Sequence, residues 1–190
     1  KGYVLGLRTF VLQGGGGTIT ADTICDIISD IHRIYPDCAI MLSLGEHIRS
    51  EYEQMYFAGA NHYSLYHMTA DREHYERLHP GEMSFHNRMD CLRDLKDIGF
   101  RIGCGFMVGS PHQTPHTLAK ELKFIEEFQP DMCGITPFVP HKDTPLSSFH
   151  PGTLLQTVYM LSLARLIRPN ILLPSATVLS CIAEDGRERS

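Results

Sequence analysis

The chain has 190 residues, 43% of them hydrophobic and 21% charged, with a net charge of −5. That length and apolar content suffice for one domain with a sizeable core. The lack of a basic stripe argues against a nucleic-acid footprint, and no apolar run is long enough to cross a bilayer.

The predicted elements alternate along the chain. An apolar run over 9–13 reads as a strand and ends in Gly14–Gly17. A helix over 20–35 follows, with Thr20 or Asp22 as cap and Ile24, Ile27, Ile28, Ile31 and Ile34 on one face. A strand over 39–45, a helix over 49–58, a strand over 62–68 and a helix over 72–78 come next. Ser84 caps a helix over 84–100 that carries Met89, Leu92, Leu95 and Ile98 on one face and stops at Gly99. A strand over 101–109 precedes a helix over 114–128, which Thr114 caps and Pro115 opens. A strand over 132–140, a helix over 153–167 and a strand over 170–177 complete the set. The 153–167 helix is apolar nearly all round and is expected to be heavily buried.

Six strand–helix alternations specify a parallel sheet, doubly wound or closed. Polar and Gly-rich residues recur at the strand C-terminal ends, where a barrel builds its site, and a complete eight-stranded barrel needs about 250 residues. The expected fold is therefore α/β, a partial TIM-like (β/α) barrel of about six βα units spanning 1–190. With its start at Lys1 and its end at GRERS, it is expected to be a piece of a longer protein.

No secretory signal is read at the start of the chain. The six cysteines include no two closer than the thirteen positions from Cys25 to Cys38. They form neither C-x-x-C nor C-x-x-x-C-x-x-C, so reduced thiols in a cytoplasmic protein and no local metal site are expected.

The glycine run is no Walker A loop, because no Lys-Ser/Thr follows it, and it lacks the G-x-G-x-x-G register. Alone it reads equally as a turn or as a cofactor cradle. His112 and His116 are four apart, but Pro115 intervenes and no third ligand is evident. His141 is either a loop histidine bonded to backbone or a pocket wall. Ser43 and Glu46 lack a nucleophile elbow. If Leu42 and Leu44 pack outward, Ser43 faces the strand-end side. Arg88 is either a solvated helix arginine or one whose planar fork reaches a carboxylate.

Taken together, the segments LSLGE, FAGANHYSLYHMTA, LHPGEMSFHNRMDCLRDLKDIGF, GFMVGSPHQT, PFVPHKDTPL and LLPSAT resemble the radical S-adenosylmethionine (SAM) enzymes of the biotin-synthase branch. Within that branch the [FeFe]-hydrogenase maturases and the methylornithine synthases are most similar. The resemblance runs from residue 2 to about 189. It implies a TIM-like barrel that holds a [4Fe–4S] cluster and SAM at the strand C-terminal ends. It also implies a small-molecule or iron-complex substrate, other hydrogenase maturases as partners, and neither nucleic acid nor membrane. Carried over by the resemblance, Gln13, Gly14 and Gly15 meet the SAM amine, Ser43 is a polar SAM-site residue, and Arg88 reaches the SAM carboxylate. Met132, Pro137 and Phe138 line the adenosine side, and His141 and Thr177 face the substrate pocket.

Several positions depart from the family pattern. The cluster cysteines belong on a first strand upstream, which this chain lacks, so the piece alone is expected to be inactive and to hold no metal. Gly16 and Gly17 stand in place of Glu and Asp. Tyr66 and Met68 replace an arginine and a carboxylate at the SAM site, and Met41 stands where Ser43 is expected to have a polar partner. Three functions follow: a hydrogenase-maturase-type or methylornithine-type radical enzyme, a relative that has lost SAM binding, and, last, a barrel lyase or hydrolase using Glu46, His141 and Asp143.

Overall fold

The computed structural model describes residues 1–14 and 19–182, together with Gly186 and Glu188. Gly15, Gly16 and Gly17 lie outside the described residues. The strands are β1 (Thr9–Gln13), β2 (Ala39–Ser43), β3 (His62–Ser64), β4 (Arg101–Val108) and β5 (Met132–Pro137). The helices are α1 (Ala21–Ile34), α2 (Arg49–Phe57), α3 (Arg72–Leu78), α4 (Phe85–Ile98), α5 (Pro115–Phe128), α6 (Leu154–Ile167) and α7 (Leu179–Ile182). Strands hydrogen-bond in chain order, β1-β2-β3-β4-β5, which is the order of a partial (β/α) barrel. The described contacts divide the chain into two compact units, Lys1–Leu65 with His86–Gly103, and Tyr66–Phe85 with Cys104–Ser190.

In the first unit β1, β2 and β3 pair in parallel, and β3 pairs with the start of β4. Alternation gives the sheet two faces. Ile40, Leu42, Tyr63 and Ile102 are buried with Ile28, Tyr52, Met55, Leu92 and Leu95 of the helices. The Tyr63 ring meets Tyr52 edge-on at 5.1 Å and Phe100 at 5.7 Å. Thr20 caps α1 by accepting from Thr23 N–H at 3.3 Å. Of the five isoleucines expected on one face of α1, Ile24 and Ile28 are buried, whereas Ile27 and Ile34 are exposed. At about 100° per residue these two sit on the flank of the stripe, beyond the width that the neighbouring elements cover.

In the second unit Cys104, Phe106 and Val108 of β4 and Cys133 and Ile135 of β5 form one core with Ile125 of α5 and Met160, Leu161 and Ala164 of α6. The expectation that α6 is buried nearly all round is overturned. Its packed face is Thr157, Met160, Leu161 and Ala164, while Leu155, Tyr159 and Leu166 are exposed. These two sets lie on opposite sides at helical spacing, so an all-apolar helix here finds one packed layer. The run over 170–177 contributes an isolated parallel bridge, Leu172 to Met132. Leu172 donates to Asp131 C=O and accepts from Cys133 N–H, each at 2.9 Å. Pro174, having no N–H to donate, ends the pairing there.

Asp71 caps α3 by accepting from His74 N–H at 2.8 Å, and its second oxygen lies 2.5 Å from Lys120 Nζ. Burial alone raises the carboxyl pKa. The bonds from Lys120 and the His74 N–H, with the Lys120 charge, outweigh it and hold Asp71 below its ordinary value. A depressed folded pKa gives stability that is present above the unfolded pKa of about 4 and lost as pH falls through the folded value. Urea unfolding between pH 5 and pH 2 should therefore show a loss of stability on acidification that Asp71→Asn reduces. An identical acid limb in the variant would contradict this assignment.

Candidate functional site

The first unit places Gln13 and Ser43 side by side at the C-terminal ends of β1 and β2, where they are register partners. Gly14 N–H donates to Ser43 C=O at 3.1 Å, which carries the pairing one residue beyond β1. Leu42 and Leu44 are buried, so alternation turns Ser43 to the opposite, open face, as the sequence condition required. The β2–β3 offset, continued by one residue, brings Ser64 beside Ser43, and Ser64 pairs with Gly103. Sequence reasoning did not single out Ser64. The alternation around Tyr63 carries the signal that would have found it.

Just beyond β2 the chain turns at Gly45, whose φ of 85° suits glycine. Tyr63 Oη donates to Gly45 C=O at 2.9 Å, and Tyr52 Oη accepts from His47 N–H at 2.9 Å. Burial pushes both phenols well above their ordinary pKa, so both remain protonated. These anchors fix Glu46 between them. Arg88 Nε of α4 lies 2.6 Å from Glu46 Oε1, and Asn87 Nδ2 donates to Glu46 Oε2 at 2.6 Å. Arg88 is only 8% exposed, so it is no solvated helix arginine. It reaches a carboxylate, and the one it meets here is that of Glu46. Gln13, Ser43, Arg88 and Glu46 supply the neutral and charged hydrogen-bonding groups that an amino-acid moiety such as that of SAM requires.

The second unit carries the remaining predicted residues. Met68, with φ 65°, bridges Phe106, donating its N–H to Gly105 C=O at 3.0 Å. Tyr66 lies across Gly105 and Gly134. A Cβ on Gly105 would come 2.5 Å from the Tyr66 ring, and one on Gly134 would overlap the Tyr66 phenol. The two glycines are where this ring fits. Met132 opens β5 and Pro137 closes it. Five residues at about 3.3 Å each hold them at opposite ends of the strand, so the structure does not bring Met132 together with Pro137 and Phe138. Pro137 also shares the alternation of Cys133 and Ile135, which face the helical core. Thr136, which sequence reasoning passed over, shares that of Gly134.

His141 is exposed, and its Nδ1 accepts from Asp143 N–H at 3.3 Å. Thr177 is exposed, and its carbonyl accepts from Ser180 N–H at 3.2 Å at the entry to α7. Neither touches the other predicted positions among the contacts described. His112 and His116 line a recess of about 180 Å³ with Asp71, His74 and Arg77. Cys25, Cys38, Cys91, Cys104 and Cys133 are free thiols, and among the described residues no His/Cys/Asp/Glu group is arranged to hold a metal ion. The described residues therefore do not supply the thiolate set of an iron–sulfur cluster.

No protein-family model matches the chain. It is 41% identical over 184 residues to the [FeFe] hydrogenase maturase subunit HydE of Thermotoga maritima, covering 96% of this chain and 52% of that protein. It is 34% identical over 124 residues to the 3-methylornithine synthase of Methanosarcina acetivorans, covering 65% of this chain and 35% of that one. The chain thus spans about half the length, or less, of these curated relatives. Among solved structures, methylornithine synthase (PylB) superposes with a TM-score of 0.82 at 25% identity, over 97% of this chain and 54% of that one. The maturase HydG superposes with a TM-score of 0.72 over 89% of this chain and 40% of that one, at 16% identity, a likeness of fold alone. With five parallel βα units in barrel order and relatives of this kind along nearly its full length, the chain belongs to the radical SAM superfamily.

Proposed function

We propose that this chain is the barrel portion of a HydE-like radical SAM enzyme that acts in the cytoplasm on the route to the [FeFe]-hydrogenase cofactor. The observation that carries this reading is the 41% identity to HydE sustained over 96% of the chain. Its substrate is a small molecule or an iron complex, and other hydrogenase maturases are its partners. SAM, when bound and reductively cleaved, supplies a 5′-deoxyadenosyl radical. The [4Fe–4S] cluster is held by residues outside those described.

The chain's own side chains bind and orient. Gln13 and Ser43, adjacent on the open face, take the polar methionyl end of SAM. The Arg88–Glu46 pair presents one positive and one negative group that match its carboxylate and amine.

The test uses the full-length, cluster-reconstituted protein. It should bind SAM with micromolar affinity, release 5′-deoxyadenosine under reduction, and support hydrogenase maturation when HydE is withheld. Ser43→Ala should weaken SAM by about 2–10-fold, the worth of one neutral hydrogen bond. Two other outcomes would redirect the assignment. Formation of 3-methylornithine, with no support of maturation, would favour the methylornithine synthase reading. An absence of SAM binding would favour a non-catalytic relative, a reading motivated by Gly16, Gly17, Tyr66 and Met68 standing where the family pattern has charged residues.

A further inference from the structure

The second unit holds a cluster of cationic side chains that the reading above does not use. The recess of about 180 Å³ is lined by residues of α3, of the turn after β4 and of the first turn of α5. Arg77 lines it from α3, His112 from the turn and His116 from α5, and all three are exposed to solvent there. Among the described residues none of these three side chains has a hydrogen bond or an ion pair. For Arg77 this is informative. Glu73 stands four residues before it on α3, the favourable order for a helical ion pair, yet the two do not pair and both line the recess.

The rest of the lining is fixed and already satisfied. His74 is 3% exposed, bonds Thr69 Oγ1 through Nδ1 at 3.0 Å, and donates from Nε2 to Pro111 C=O at 2.9 Å. That second bond ties α3 to the residue before His112. Thr114 and Thr117 each accept the other's backbone N–H, at 3.2 and 2.9 Å, so their hydroxyls serve the α5 cap. Asp71 is held by Lys120 and by the His74 N–H. His112 has a φ of 63°, a conformation that costs energy for any residue with a Cβ. Its ring meets Phe149 edge-on at 5.4 Å. The donors left over at the recess are therefore Arg77, His112 and His116, and the carboxylate left over is Glu73.

Three such donors around one recess call for an anion. A carboxylate ligand has two oxygens, and the fork of a single arginine occupies both. A tetrahedral oxyanion keeps oxygens for two imidazoles as well. Arginine has only donors and cannot ligate a metal, and no described His/Cys/Asp/Glu group is arranged to hold one. We infer that this recess binds phosphate, free or carried on a small molecule, with Arg77 spanning two oxygens and His112 and His116 donating to the others. Glu73 offsets the charge of Arg77, and Lys120 offsets that of Asp71. Both ring nitrogens of His74 are taken up by protein groups. The net positive charge at the recess thus comes from His112 and His116. Histidine loses its charge as pH rises from 5 to 8, so affinity for an anion falls over that range.

The test uses the full-length, cluster-reconstituted protein without SAM, so it is independent of the SAM reading. The imidazole NMR signals of His112 and His116 are assigned through His112→Gly and His116→Gln. Sulfate, whose charge stays constant between pH 5.5 and pH 8, should shift both signals saturably and bind about 10-fold more weakly at the higher pH. Arg77→Gln should weaken sulfate by about 10-fold or more at pH 5.5, the worth of a charge-assisted contact. Arg72→Gln, which removes the same charge from α3 outside the recess, should not. His112→Gly suits the positive φ and should unfold at the same or a higher temperature than wild type, yet bind sulfate about 3–10-fold more weakly with a flatter pH dependence. Inorganic phosphate should bind at least as tightly as sulfate. Glycerol 3-phosphate bound more tightly than inorganic phosphate assigns the site to a phosphorylated small molecule, and equal or weaker binding assigns it to free phosphate. The inference is overturned by the absence of a saturable shift, by equal losses in Arg77→Gln and Arg72→Gln, by a pH-independent affinity for sulfate, or by acetate binding as tightly as phosphate.

Discussion

Replacing Glu121 by alanine lowers the stability of the protein by about 2–6 kcal/mol, the cost of leaving two buried donors unsatisfied at about 1–3 kcal/mol each. Glu121 and His67 are both fully buried, and their atoms meet at 2.8 Å. Without the carboxylate, the His67 ring keeps no acceptor for Nε2–H, and the Ala70 N–H loses its 2.7 Å acceptor. Neither group can turn to water without opening the packing of His67 on Phe124. Urea unfolding of wild type and variant checks the figure. A loss below about 1 kcal/mol would mean that the network contributes little beyond an ordinary hydrogen bond. Glu121→Gln, which preserves volume and one acceptor, should cost less than the alanine variant.

Gly105→Ala is expected to cost about 3 kcal/mol, the upper end of ordinary overpacking. Its Cβ would stand 2.5 Å from Tyr66 Cε2 and 2.6 Å from Gly134 O. The phenol ring can swing away, but the carbonyl belongs to the neighbouring strand and cannot move without disturbing the sheet. Gly134→Ala differs in kind, because the three nearest atoms to its Cβ all belong to the Tyr66 side chain. A double-mutant cycle separates the two cases. In a Tyr66→Ala background the cost of Gly134→Ala should largely disappear, whereas that of Gly105→Ala should fall only in part. Equal rescue of both would show that the backbone clash at Gly105 is relieved by a small strand shift.

Much of the architecture is legible in the residue order. Thr114 followed by Pro115 predicts the start of α5, and the structure places Thr114 at the cap, accepting from Thr117 N–H at 3.2 Å. The apolar run over 9–13 coincides with β1, and the alternation through Leu42 and Leu44 puts Ser43 on the open face. These features are local. They follow from preferred dihedrals, cap hydrogen bonds and side-chain periods that a few consecutive residues determine. The resemblance of strand-end motifs extends this to the radical SAM fold.

The rest needed the tertiary structure. Arg88 was matched to a ligand carboxylate, yet it meets Glu46, 42 positions away, because the Gly45–His47 turn is tied down by two buried tyrosines. Glu121 drew no notice as one of several charges on α5, yet it is fully buried against His67, 54 positions away. The apolar girth of α6 gave no hint that Leu155, Tyr159 and Leu166 would remain exposed. Pro174 within the run over 170–177 cuts short the expected strand, which among the described residues pairs at Leu172. By itself the sequence determined most of the strands and helices, the caps of α1 and α5, the direction of alternate side chains around Ser43, and the family motifs at the strand ends. Only the tertiary structure decided which charges are buried together and which apolar faces are covered. Electrostatic pairing and burial depend on distances in space between groups far apart in the chain, and no local spacing encodes those distances.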